Sequence, residues 1–119
     1  MTLKQYQTLC IKTEPKYLTR GDEALLGLLG LNASSGECLR LYKKTLYEGA
    51  ELDQKGILRA LGWAICDISR IAHAIDVDLE TVLRDSAEEL NEDLKSLNKG
   101  SECNGEHDLL KDNSDAGDN

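Results

Sequence analysis

The chain has 119 residues, a net charge of −8 and an isoelectric point near 4.7, with one Pro and no Phe. A chain of this length is expected to form a single domain with a modest core. Without Phe the core must be mainly aliphatic, which suits helices better than a sheet. The net negative charge disfavours sequence-independent binding of nucleic acid, which needs clustered Lys and Arg. It still allows binding of a small nucleotide.

The four cysteines, Cys10, Cys38, Cys66 and Cys103, lack CxxC spacing. This pattern indicates reduced, partly buried side chains rather than a disulfide framework or a zinc site. No apolar run approaches the roughly 18 residues of a membrane helix, and Met1 is not followed by a basic and apolar leader. We therefore expect a cytoplasmic protein without a membrane partner.

The first predicted helix starts at Leu3 and runs to about Thr13. Thr2 and Gln5 have the spacing of a capping box, in which each side chain bonds to the other residue's backbone. Pro15 ends the helix because it restricts the residue before it to extended angles.

The second predicted helix is capped by Asp22 and ends near Tyr47, with a break at Gly49. Its apolar residues recur at three- and four-residue steps, which predicts a buried inner face. From Asn32 to Glu37 they give way to small and polar residues, which is typical of a helix beside a cavity or another backbone. The predicted inner face comprises Leu28, Leu31, Leu39, Tyr42 and Leu46.

The third predicted helix is capped by Asp53 and runs from Gln54 to about Ile75. It is apolar over more than half of its circumference, so it must be buried on several sides, in a bundle or at a subunit interface. Because one chain offers only a limited core, we expect a homodimer or a dimer of dimers.

The fourth predicted helix is capped by Asp78 and runs to about Asn98, so residues 1–98 form the helical domain. Residues 99–119 are rich in Gly, Ser, Asn and Asp and cannot bury enough apolar surface to offset their ordering entropy. We expect them to form a disordered acidic tail.

With the helices placed, the pattern from about Leu3 to Leu97 resembles the MazG-like family of all-α nucleoside triphosphate pyrophosphohydrolases. The resemblance rests on the order and spacing of several short motifs, and it implies an all-α four-helix bundle of the MazG-like type. The motifs are Tyr6-Gln7 with Thr13, Gly30-Leu31 with Gly36-Glu37, Lys43-Lys44 with Gly49, Leu61-Gly62, and the segment from Ile75 to Val82.

In that family, two facing helices carry the motifs ExxE and ExxD. Residues three apart share a helix face, so the four carboxylates can hold Mg²⁺ ions beside the triphosphate while a water attacks. The resemblance leaves only Glu37 of these acids in this chain. The degenerate positions are Ser34, Ala60 and Trp63, together with Ser86 and Glu89 where the family has Asn and Lys.

Metal-binding carboxylates could also lie at positions other than those of the family. Glu37 and Asp67 are the residual catalytic candidates on this reading. We favour an ion pair of Asp67 with Arg70, or with Arg40 across the helices. A single carboxylate in water attracts a divalent ion by only about 2 kcal/mol at 4 Å, too little to hold a pair of Mg²⁺ ions. We expect no cofactor, with Mg²⁺ required only if the chain is active, and Glu37 as a weak ligand.

Lys43 and Lys44 match family lysines that lie near the nucleotide phosphates, and with Ser34 and Trp63 they are candidate ligand-binding residues. The alternative for the lysines is a solvated helix end where cations oppose the dipole. His73 is interpreted as a surface or core-edge histidine.

Three functions remain open. We favour a catalytically degenerate protein, of phage or mobile-element origin, that binds a nucleotide or a protein partner without hydrolysis. The second is an active Mg²⁺-dependent pyrophosphohydrolase that uses Glu37 and Asp67 to release a monophosphate and pyrophosphate. The third is a structural interaction protein whose former pocket is closed by Trp63.

Overall fold

The computed structural model describes residues 1–104, with side chains to residue 100, and the chain divides into two compact units at Val82 and Leu83. Residues 1–104 contain helices and no strands, so the predicted all-α class is confirmed. Within the same residues, no helix is long and apolar enough to cross a membrane. The helices are α1 (Leu3–Lys12), α2 (Arg20–Glu48), α3 (Gln54–Ala74) and α4 (Leu79–Asn104).

Capping residues set the starts of α1 and α3 as predicted. The Thr2 hydroxyl accepts a hydrogen bond from the Gln5 N–H at 3.1 Å, and Gln5 Oε1 accepts one from the Thr2 N–H at 2.8 Å. The Asp53 carboxylate accepts a hydrogen bond from the Gly56 N–H at 2.9 Å. These bonds satisfy backbone donors that have no partner inside the helix.

The start of α2 lies earlier than predicted, at Arg20. The cap is Thr19, whose hydroxyl accepts a hydrogen bond from the Asp22 N–H at 3.1 Å. Asp22 lies in the first turn instead, where its charge complements the helix dipole. Gly49 ends α2 in the left-handed conformation, with φ of 70°, so the predicted break is confirmed.

The face of α2 that packs on α3 is the reverse of the predicted one. Its buried residues are mostly small or polar: Glu23, Gly27, Ser34 and Leu41. Three of the four leucines expected to be inside are exposed, with 53% of Leu28, 62% of Leu39 and 59% of Leu46 accessible, whereas Leu31 is half-buried. The periodicity identifies an apolar face correctly, but that face is not the one that contacts α3.

Two glycines allow α2 and α3 to approach closely. A Cβ atom added to Gly27 would lie 2.7 Å from Ile71 Cγ1 and 3.1 Å from the backbone oxygen of Asp67. A Cβ atom added to Gly30 would collide with the Asp67 carboxylate. The close approach to another backbone, predicted for the middle of α2, is therefore found one to two turns earlier in the helix.

Gln7 connects α1 to the end of α3 and to the start of α4. Its Nε2 donates hydrogen bonds to the backbone oxygens of Ser69, at 3.0 Å, and Val77, at 3.2 Å. Its Oε1 accepts one from the Leu79 N–H at 3.1 Å. The side chain is buried and uses both its donor and its acceptor groups, so it fixes α1 in register with the turn after α3.

The fourth helix begins at Leu79 as predicted but ends later, at Asn104. Residues 99–104, assigned to the tail by composition, are therefore helical. A single Gly inside a helix costs only about 1 kcal/mol relative to Ala, so Gly100 does not end the helix. The rest of the expected tail, 105–119, lies outside the described residues.

Replacing Gly27 with Ala tests the close packing of α2 on α3. We expect the free energy of unfolding to fall by about 2 kcal/mol, because overpacking costs more than the gain in helix propensity returns. Urea titrations followed by circular dichroism, at one fixed protein concentration, measure the change.

The matched control is Gly62→Ala, since a Cβ atom at Gly62 meets no atom within 4 Å. This variant should gain about 0.5–1 kcal/mol from the lower backbone entropy of its unfolded chain. Equal stability of the two alanine variants would contradict a tight contact at Gly27.

Candidate functional site

The positions that the resemblance assigns to metal ligands lie together in one open cleft between α2 and α3. Ser34 and Glu37 line it from α2, and Ala60 and Trp63 line it from α3, around a volume of about 500 Å³. The four positions, which the resemblance assigns to facing helices, thus line the same cleft. The remaining lining residues are Ala33, Asp53, Gly56 and Arg59.

Glu37, the one acid kept at these positions, is already paired. Arg40 donates from Nε to Glu37 Oε2 at 3.0 Å and from Nη2 to Glu37 Oε1 at 2.6 Å. These bonds hold the pKa of the Glu37 carboxyl below its usual value. The carboxylate is therefore ionised, but a cation entering the cleft has to compete with a bidentate guanidinium.

Trp63 forms a wall of the cleft and does not fill it, contrary to the expectation that its ring closes the pocket. Its accessible fraction is 53%. The residue also lines a neighbouring groove of about 520 Å³ between α1 and α3, with Tyr6 and Cys66 among its other residues. The indole thus remains available to a ligand.

Asp67 does not line this cleft. Its side chain is buried, and Oδ1 accepts a hydrogen bond from Arg70 Nη1 at 3.3 Å. The predicted pairing with Arg70 is confirmed, whereas Arg40 pairs with Glu37 instead.

The two residual catalytic candidates are consequently not brought together. Asp67 lies opposite Gly30, which precedes Glu37 by seven residues, or about 10 Å along α2. Each of the two carboxylates forms an ion pair with a different arginine. Among the residues that the structure describes, no group of three or more His, Cys, Asp or Glu side chains is placed to hold a metal ion.

Lys43 and Lys44 do not line the cleft either. They border a separate cavity of about 440 Å³ on α2, together with Arg40 and Tyr47. In the second unit, Glu89 lies among the acidic residues of α4. Ser86 is likewise on α4, where it is exposed.

Arg59 is a residue of the cleft that the sequence reasoning overlooked. It lies four residues before Trp63 and lines the same two cavities as the indole. Residues four apart on a helix are neighbours on one face, so the spacing from Trp63 was an available signal. A guanidinium beside an exposed indole can bind an anion or stack on an aromatic ring.

A second polar cluster, which the sequence did not predict, joins the α1–α2 loop to α2 and α3. His73 Nδ1 lies 2.9 and 2.8 Å from the two carboxylate oxygens of the buried Glu23. Burial, then a hydrogen bond with the Glu23 carboxyl, raises the pKa of Glu14 to about 7, although Arg70 and His73 oppose the shift. The Glu14 carboxyl therefore retains its proton up to near-neutral pH. His73 lies at the core edge, as interpreted.

The buried cysteines fit the predicted reduced, apolar role. Cys10 and Cys66 are free and buried, and Cys38 is free and half-buried. Burial, with a hydrogen bond to Cys10, raises the pKa of Cys66 to about 12, so it stays a thiol at neutral pH. The side chain of Cys103 lies outside the described residues.

Comparisons with protein-family models, curated proteins and solved structures find no match to this chain. The resemblance to the MazG-like family therefore depends on the motifs quoted above and on the cleft in which their residues meet.

The raised pKa of Glu14 predicts that stability falls with rising pH. Unfolded Glu14 loses its proton above its ordinary pKa of 4.5, but the folded protein holds it until about pH 7. The folded state thus binds more protons between these values, and the free energy of unfolding should drop by about 2 kcal/mol from pH 5.5 to 8.5.

Glu14→Gln should lose this part of the pH dependence, because the amide does not titrate. Urea denaturation of both proteins across this pH range measures the difference. Glu37→Gln is the control, since the pKa of Glu37 is lowered and its titration ends below pH 5.5. Parallel pH profiles of the Glu14→Gln variant and the unmodified protein would contradict the raised pKa of Glu14.

Proposed function

We propose that this chain is a catalytically degenerate, MazG-like protein that binds a nucleotide in the α2–α3 cleft without hydrolysing it. The observation that supports this proposal is the cleft itself. It is open, it is lined by the positions of the family's metal ligands, and its carboxylate at Glu37 is neutralised by Arg40.

Trp63 and Arg59 supply the binding chemistry. The exposed indole offers a flat face on which a base can stack, an interaction worth about 1–3 kcal/mol per base. Arg59, one turn away on α3, keeps its charge at any physiological pH and can donate to phosphate oxygens. The Ser34 hydroxyl, on the α2 side, can donate and accept hydrogen bonds.

The side chains available to bind a metal ion in the cleft argue against hydrolysis. Cleavage of a phosphoanhydride concentrates negative charge that the family offsets with Mg²⁺, and Mg²⁺ needs carboxylates that are free to bind it. Here Ser34, Ala60 and Trp63 provide none, and both oxygens of Glu37 accept from Arg40. The Asp53 carboxylate, which also lines the cleft, caps α3 by accepting from the Gly56 N–H.

Trp63 is the chain's sole tryptophan, so its fluorescence reports on the cleft directly. Titration with purine and pyrimidine nucleoside triphosphates should quench it saturably, both with Mg²⁺ and without it. Arg59→Ala should weaken binding about tenfold, since a hydrogen bond to a charged group contributes roughly 1.5–3 kcal/mol. Lys4→Ala, which removes a charge from α1, should bind like the unmodified protein.

A parallel assay for released pyrophosphate separates the alternatives. Hydrolysis that disappears in Glu37→Ala would overturn the proposal and identify an active pyrophosphohydrolase. A fluorescence signal unaffected by every nucleotide would also overturn it, leaving a protein partner or a purely structural role.

Restoring the missing acids tests the assignment of positions. Ser34→Glu, Ala60→Glu and Trp63→Asp in one variant would set carboxylates at all four assigned metal positions, and we expect micromolar to millimolar Mn²⁺ binding by electron paramagnetic resonance. Adding Glu37→Ala to this variant should weaken binding at least tenfold. A correctly folded triple variant with no more affinity than the unmodified protein would show that these positions do not face one metal site.

A further inference from the structure

Trp63 and Arg59 lie between two cavities, on the sides of α3 that face α1 and α2. One cavity is the α2–α3 cleft, of about 500 Å³. The other is the groove of about 520 Å³ between α1 and α3, which we call the α1–α3 groove. Both volumes fall within the roughly 300–1,000 Å³ of small-molecule pockets. The nucleotide of the proposed function occupies the cleft alone, so the groove offers space for a further part of the ligand.

The walls of the α1–α3 groove suit a planar aromatic group. Tyr6 lines it, and its hydroxyl donates a hydrogen bond to the Gly62 backbone oxygen at 3.3 Å, which holds the phenol ring against α3. Leu9 and Leu58 also line the groove, and they are 53% and 61% exposed, so the described part of the chain leaves this apolar surface largely uncovered. A purine or pyrimidine ring can cover such a surface and stack on an aromatic neighbour.

The charge of the groove favours a ligand with phosphate groups. Arg59 and Arg70 line it, and none of the described residues around it is an Asp or a Glu. Arg70 is held by hydrogen bonds to Thr13 and Asp67, whereas Arg59 is exposed at the border that the groove shares with the cleft. A guanidinium at this border can donate to phosphate oxygens that pass from one cavity to the other.

We infer that the ligand is a dinucleotide, two nucleosides joined by a phosphate bridge, with one base in the cleft and the other in the groove. This inference rests on the proposed function and extends it. Trp63 lines both cavities and is 53% exposed, so its indole lies between the two bases. Bases in contact with the two faces of one ring are about 7 Å apart, a gap that a polyphosphate bridge can span beside Arg59. A mononucleotide stacks on one face only.

Diadenosine tetraphosphate and ATP test the inference, because they carry the same base but two adenosines or one. Quenching of the Trp63 fluorescence measures both affinities. The second stacked base should make the dinucleotide bind about tenfold more tightly or better, since one stacked base contributes roughly five- to 150-fold. Two equivalent adenosines that bind one at a time would give a statistical gain of only about twofold.

A matched pair of glycine variants locates the second base. Gly62 lines the groove and not the cleft, and a Cβ atom added there meets no atom within 4 Å, so Gly62→Leu places a side chain in the groove without displacing a neighbour. This variant should lower the preference for the dinucleotide from about tenfold to about twofold. Gly36→Leu is the control and should keep the full preference, since Gly36 has the same free space but lines neither cavity.

Isothermal calorimetry should give one dinucleotide per chain. Three results would overturn the inference and leave the proposed function standing: a preference of about twofold or less in the unmodified protein, a full preference in Gly62→Leu, or one dinucleotide for two chains. Equal weakening of ATP and the dinucleotide in Gly62→Leu would place the mononucleotide in the groove and would also overturn the two-sided arrangement. If neither compound binds, the proposed function itself fails.

Discussion

The guanidinium of Arg70 joins α1 and the loop after it to α3. Its Nη2 donates to Thr13 Oγ1 at 2.7 Å and to the Cys10 backbone oxygen at 3.4 Å, and Nη1 donates to Asp67. Its Nε lies 3.7 Å from the Glu14 carboxylate. A charge buried to this degree is tolerated only when its donors have partners, so α1 cannot shift along α3 without a large penalty.

The composition of α2 follows from this polar interior. The Asp67 carboxylate needs the space beside Gly30, and Glu23 lies buried against His73, so the inner side of α2 offers little room for leucine. The buried hydrophobic residues are correspondingly small, with Leu41 and Leu79 the largest. An interior of this kind buries little apolar surface, and it leaves the leucine-rich face of α2 exposed.

The features that depend on residues close together in the sequence could be predicted. The starts of α1 and α3 follow from side chains that bond within three residues. The family resemblance, not spacing alone, assigned Ser34, Glu37, Ala60 and Trp63 to facing helices, and these residues line one cleft. Periodicity shows that a helix has two faces but not which one is inside. The choice depends on partners such as Glu23 and His73, separated by 50 residues, which no local pattern records.

In the proposed function, the cleft holds a nucleotide differently from the acidic site of the family that the chain resembles. Four carboxylates repel a triphosphate unless Mg²⁺ lies between them, which makes binding and catalysis dependent on the same ion. In this chain, Glu37 and Asp53 are balanced by Arg40 and Arg59, so the formal charge of the side chains around the cleft is near zero. In the proposed complex an arginine therefore takes over the electrostatic role of the metal. The cleft can then bind a nucleotide without hydrolysing it, because a guanidinium cannot activate a water as Mg²⁺ does.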